Sequence, residues 1–231
     1  ILHDQLKSML PSHDSNENEN DNIEITKTEI IIQLNKLNPR KACGDDGVTP
    51  FILKECKSEL IDVIYYIFNL SLRTCKFPEV WKIGKIVRVS KIKNANEVKD
   101  FRPITLTSCL SKVMQRVVKD ILIKNLSHKL DPLQFAYKEN RGTVDALLTV
   151  QNVINEHLDK NPQHKIRITF LDFSSAFNTI WCDLLRTELL NDIDIKLCCW
   201  LMDYLKDRKQ YVSTKVTNSA IKTINTGTPQ G

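Results

Sequence analysis

Phe170-Leu171-Asp172-Phe173-Ser174-Ser175-Ala176-Phe177 is the stretch on which the reading of this chain turns. The apolar run before it, Ile166 to Leu171, reads as a β-strand that delivers one carboxylate, Asp172, at its end. Small residues and an aromatic follow at once. Further on, after two strand-like runs, the chain reads Thr226-Gly227-Thr228-Pro229-Gln230-Gly231. A strand-end Asp facing a Gly/Pro/Gln turn suits a nucleotide site. The carboxylate can hold Mg²⁺, and small residues let backbone amides approach phosphates.

The 231 residues suffice for one large domain or two small ones, and 42% hydrophobic content supplies a core. No apolar run reaches the roughly 20 residues needed to span a bilayer, so no membrane partner is expected. Seven cysteines, without a C-x-x-C pair, read as reduced thiols of an intracellular protein. The charge is uneven. Residues 1–32 carry two basic and seven acidic side chains, whereas residues 82–129 carry twelve basic and three acidic ones. That basic excess suits a polyanion partner.

Residues 11–22 form an Asn/Glu/Asp-rich run, so residues 1–24 read as an acidic disordered linker. Thr26-Lys27-Thr28-Glu29 reads as a capping box opening a helix through Leu37. Thr49-Pro50 starts another helical pattern, which runs to Leu72. Lys85–Val89 reads as a strand. Helices are expected after Ser108, from Thr143 to Leu158, and over 184–190 and 196–206. Gln210–Val216 and Ile221–Thr226 read as a hairpin. The pattern is α+β and helix-rich.

Five blocks of this sequence resemble the reverse transcriptase domain of LINE-type, non-LTR retrotransposons. They are Asn38–Gly47, Lys99–Thr107, Leu133–Tyr137 with Arg141–Ala146, Phe170–Phe177 and Thr226–Gly231. Their order and spacing also resemble the family's, and the Phe170–Phe177 run and the Asn38–Gly47 block favour it over the maturases of group II introns. The resemblance implies a right-hand polymerase, with fingers over 25–160 and a partial palm with an incomplete sheet over 161–231. It implies RNA-templated DNA synthesis by two-metal nucleotidyl transfer, with an RNA template, a DNA primer and dNTPs as partners and Mg²⁺ as cofactor. Nuclear residence follows from the same resemblance.

Carried to matching positions, the resemblance makes Asp172 the catalytic carboxylate bridging both Mg²⁺ ions, with the Phe173 carbonyl on one of them. The Ser175 and Ala176 amides would lie against the triphosphate, and Phe177 under the sugar, where it excludes a 2′-hydroxyl. Arg102 and Lys91 would hold the triphosphate, as a bidentate fork and a point charge. Gln230 and Gly231 would stand near the primer terminus. Gln134 and Arg141 would guide the template through its backbone.

The sequence departs from the family in places. Asp45 stands where Pro is usual, Gly142 where Ser is usual, and Arg88-Val89-Ser90-Lys91 lacks the usual prolines. The family's next block, an aromatic-x-Asp-Asp hairpin, does not occur in these residues. The expectation is therefore a fragment that does not polymerise by itself. The alternative is a non-catalytic nucleic-acid-binding remnant of a decayed or repurposed element.

Overall fold

The computed structural model describes residues 23–173, 176–214 and 216–229. The expected linker falls almost wholly outside them, as do Ser175, Gln230 and Gly231. The first helix, α1 (Lys27–Asn35), begins at the expected capping box. Glu29 N–H donates to Thr26 Oγ1 at 3.2 Å, and Thr26 N–H to Glu29 Oε2 at 2.8 Å. Such a cap contributes about 1 kcal/mol by satisfying amides that have no partner within the helix. The helical pattern after Thr49 is two helices, α2 (Pro50–Glu55) and α3 (Lys57–Arg73). They part at Cys56, whose φ of −93° and ψ of 21° end one helix and start the next. A hydrophobic period cannot register one residue leaving the helical region.

The strand β1 (Ile83–Ser90) pairs antiparallel with β2 (Phe101–Leu106), a motif whose sequence gives no clear strand signal. Pro103 explains both facts. It weakens the strand pattern, yet it is tolerated because β2 lies at the sheet edge. Then come α4 (Cys109–Leu126), α5 (Thr143–Lys160), α6 (Cys182–Leu189) and α7 (Ile195–Leu205). The expected hairpin follows as β3 (Arg208–Val212) and β4 (Lys222–Ile224). The four strands order β2-β1-β3-β4, with β1 and β3 parallel and Lys85 opposite Tyr211. The chain is thus α+β, as expected.

One apolar cluster joins α1, α3, α4 and α7, through Ile30, Phe68, Val113 and Trp200 among others. It draws residues from both sides of position 160. An aromatic cage closes one end: Phe77 meets the rings of Trp81, Trp200 and Tyr204 edge-on, at 5.8, 5.5 and 4.9 Å. The buried Trp200 Nε1–H donates to Ser71 Oγ at 2.9 Å. Lys82, equally buried, is neutralised by Glu79 at 2.9 Å and Asp203 at 3.1 Å. A buried cation stays charged at tolerable cost only when paired in this way.

The expected strand from Ile166 to Leu171 does not form. Residues 165–173 adopt neither helix nor strand, and Phe170, Leu171 and Phe173 are 86%, 90% and 83% exposed. An apolar run becomes a strand only when neighbours supply a hydrogen-bond ladder and a covering layer. None of β1–β4 reaches this run. The helix expected over 143–158 does form, yet it buries no side chain among the described residues.

Candidate nucleotide and nucleic-acid site

Backbone geometry brings the late blocks of the sequence together. Thr228 N–H donates to the Phe177 carbonyl at 2.9 Å, and Gly227 N–H to the Ile180 carbonyl at 3.0 Å. Gly227 has φ +72°, and a Cβ there would stand 2.7 Å from the Phe177 oxygen. Only glycine allows so close an approach. The Phe177 ring in turn meets Tyr137 edge-on, with centroids 5.7 Å apart and planes at 84°. Residues 133–137, 176–180 and 226–229 therefore converge. In the first of these segments, Gln134 Nε2–H donates to the Ala136 carbonyl at 3.4 Å. The Arg141 guanidinium lies 5.6 Å over Phe135.

A cavity of about 340 Å³ opens between this junction and the sheet. Thr226–Pro229 and Asn178 form one wall; Gly84, Pro103, Thr105 and Arg208 are on the other. Arg208 is buried, stacks 4.8 Å over Tyr204 and donates to the Tyr204 carbonyl at 3.2 Å. Burial pulls its pKa below the ordinary guanidinium value, opposed by the charge of Tyr204. The cavity thus combines apolar residues such as Ile86, Pro103 and Ile224 with the Arg208 cation and two glycines, Gly84 and Gly227.

The expected phosphate-binding cations gather elsewhere on the same sheet. Lys91 follows the last residue of β1, and Arg102 is second in β2, opposite Val89. Lys91 N–H donates to the Asp100 carbonyl at 2.7 Å, closing the hairpin end where both cations sit. Because side chains alternate along a strand, Arg102 points to the face opposite Pro103 and the cavity. Asp172 is exposed and makes no hydrogen bond or ion pair with a described residue. No three His, Cys, Asp or Glu side chains come together as a metal centre among the described residues. Among the described residues the expected metal position offers one carboxylate, Asp172, which by itself does not fit a metal pair.

The opening block is tied in from the other face of the sheet. Gly44 lies so close to the start of α4 that a Cβ would stand 2.6 Å from the Ser108 nitrogen. Beside it, the Tyr211 hydroxyl of β3 donates to Asp45 Oδ1 at 2.5 Å. The opening block and β2 are therefore tied to one small sheet, and Thr226–Pro229, Phe177 and Tyr137 meet beside it at the junction.

The profile of the reverse transcriptase (RNA-dependent DNA polymerase) family matches residues 91–231, more than half of the sequence. The chain belongs to the reverse transcriptase family. It is 28% identical over 210 residues to the RNA-directed DNA polymerase from mobile element jockey of Drosophila melanogaster, covering 90% of this chain and 23% of that protein. It is 27% identical over 206 residues to the probable RNA-directed DNA polymerase from transposon BS of the same species, covering 88% and 22%. The probable polymerase from transposon X-element is also 27% identical, over 207 residues, with the same coverage. This reverse transcriptase chain thus spans less than a quarter of the length of these relatives. Their mobile-element origin agrees with the retrotransposon resemblance of the five blocks.

Three residues of the junction have no signal of their own in the sequence. Tyr137 reads only as part of a block, although its φ of +60° marks a left-handed turn. Asn178 carries no local signature, because Gly227 approaches it from a segment remote in sequence. Arg208 meets Tyr204 four residues back, and only the sheet brings it to the cavity. A lone Arg opening a strand after a helix is the sole hint the sequence holds for Arg208.

Proposed function

We propose that this chain is the fingers and part of the palm of a retrotransposon reverse transcriptase that copies RNA into DNA within a longer polypeptide. Residues 25–160 supply the fingers, and 161–231 the palm segment. The observation that carries this reading is the backbone pairing of Phe177 and Ile180 with Gly227 and Thr228. It sets an aromatic ring and a glycine turn side by side, at the matched positions where a nucleotide sugar would lie.

In this reading the Ala176 amide, with that of Ser175, lies along the triphosphate of a dNTP. Lys91 and Arg102 are the matched cations for its charge. They meet it only if the hairpin end moves towards the junction, because Arg102 lies on the sheet face away from the cavity. The Phe177 ring leaves no room for a 2′-hydroxyl, which selects deoxynucleotides. Gln230 and Gly231 adjoin the primer terminus, while Gln134 and Arg141 contact the template backbone. Asp172 and the Phe173 carbonyl are this chain's contribution to a Mg²⁺ site whose other ligands lie outside the described residues. When bound, that ion would stabilise charge on the transferring phosphoryl group. A nuclear location accompanies the reading, since DNA copied into a chromosome must be made there.

The test is primer extension by the longer polypeptide carrying Asp172→Asn. Extension should vanish while template binding stays close to that of the unaltered protein. Equal loss of both would make Asp172 structural. An unaltered protein that binds RNA but never extends a primer would favour a non-catalytic nucleic-acid-binding remnant.

A further inference from the structure

Away from the junction, the loop of the opening block is held against α4. Gly44 abuts Ser108, and Asp45 is held by Tyr211. That clamp carries Lys41, three residues earlier, towards the first turns of α4. Lys112 and Arg116 stand on one face there, four residues and so about 6 Å apart along the axis. The opposite face, with Val113, Met114 and Val117, is buried in the core and fixes the helix in rotation.

Lys112 is half-buried, and its pKa is lowered, chiefly by that burial and further by the charges of Lys41 and Arg116 facing it. The Cys109 thiol, one turn back, acts in the opposite sense only when ionised. Ion pairs among the described residues engage Lys27, Lys82, Lys119 and Lys129. Lys41, Lys112 and Arg116 have no such partner among those residues. Asp46, in the same loop, spends Oδ1 on the Val48 amide at 3.2 Å and pairs with none of them. Three like charges held together by a folded loop and helix repel one another, and a polyanion relieves that repulsion. The row has a direction, too. Lys119, the next cation along α4, meets Glu139 at 3.7 Å, within the loop that bears Gln134 and Arg141.

We propose that Lys41, Lys112 and Arg116 form a contact surface for the sugar-phosphate backbone of single-stranded RNA, separate from Lys91 and Arg102. This rests on the reading of the chain as a template-copying enzyme, and adds a track on which the template would enter. The contacts read phosphates, so they position the strand without selecting its sequence.

Fluorescence anisotropy of a labelled oligouridylate with the 231-residue chain, over a series of salt concentrations and without Mg²⁺ or dNTPs, tests it. Each phosphate contact removed should flatten the slope of log K against log salt by about 0.7. Lys112→Ala with Arg116→Ala should flatten it by about 1.4. Lys41→Ala, at an exposed position, should flatten it by about 0.7, and Lys112→Arg should keep it. Unchanged slopes in both alanine variants with native circular dichroism would overturn the proposal. So would failure of the unaltered chain to bind RNA. Primer extension by the longer polypeptide is a separate readout, so a failure of RNA binding at these cations and a failure of polymerisation are told apart.

Discussion

The Tyr211 hydroxyl and Asp45 Oδ1 lie 2.5 Å apart, joining β3 to the opening loop across 166 residues of chain. Asp45 stands where the family resemblance leads one to expect proline. The departure has a structural partner, and the partner is a side chain buried in the sheet. Removing the hydroxyl by Tyr211→Phe should cost about 1 kcal/mol, read as a shift in the denaturation midpoint at unchanged slope.

The same bond has a pH signature. The hydrogen bond to Asp45, and then burial, push the Tyr211 pKa from its ordinary 10 up to about 12. A phenol whose folded pKa is raised contributes stability that is fully present below pH 10. That stability is lost as pH climbs towards 12, because the unfolded chain releases the proton first. Chemical denaturation across this window should show a steeper loss in the native chain than in Tyr211→Phe. Equal losses would mean the bond does not persist in solution.

Gly227→Ala should disrupt the junction. Its Cβ would stand 2.7 Å from the Phe177 oxygen, at a backbone φ of +72°. Both effects strain the turn, by about 1–3 kcal/mol together. Hydrogen exchange at the amides of Gly227 and Thr228 should quicken about 5- to 150-fold, while exchange within α3 and α4 stays unchanged.

Core and exposed aromatic residues should answer substitution very differently. Trp200 is 1% exposed and packs within the aromatic cage, so Trp200→Ala should cost about 3–5 kcal/mol. Phe170 is 86% exposed, so Phe170→Ser should stay within about 0.5 kcal/mol of the native chain. A large loss at Phe170 in this chain would mean that the run before Asp172 is packed after all.

Thiol reactivity should follow burial. Cys56 is exposed, whereas burial first of all pushes the Cys75 pKa up to about 11. Burial raises the pKa values of Cys109, Cys182 and Cys198 as well. Iodoacetamide at about pH 8 should therefore label Cys56 well before the others, as judged by peptide mass mapping.

Much of this molecule is legible in its residues because the signals are local. Thr26 and Glu29 close a capping box within one turn. Ser108 and Thr49 accept from amides three residues ahead, and the spacing of apolar residues marks α1, α3, α4 and α7. The five blocks likewise suffice to place the chain among reverse transcriptases. Tertiary structure decides what depends on partners remote in sequence. Whether Ile166–Leu171 becomes a strand rests on a neighbouring ladder, and β2 can accept Pro103 because it lies at the sheet edge. The meeting of Phe177 with Tyr137 and Thr228, and of Tyr211 with Asp45, requires the fold. Short-range hydrogen bonds and periodicity are written along the chain, whereas strand pairing, burial and the approach of distant backbones exist only once the core has closed.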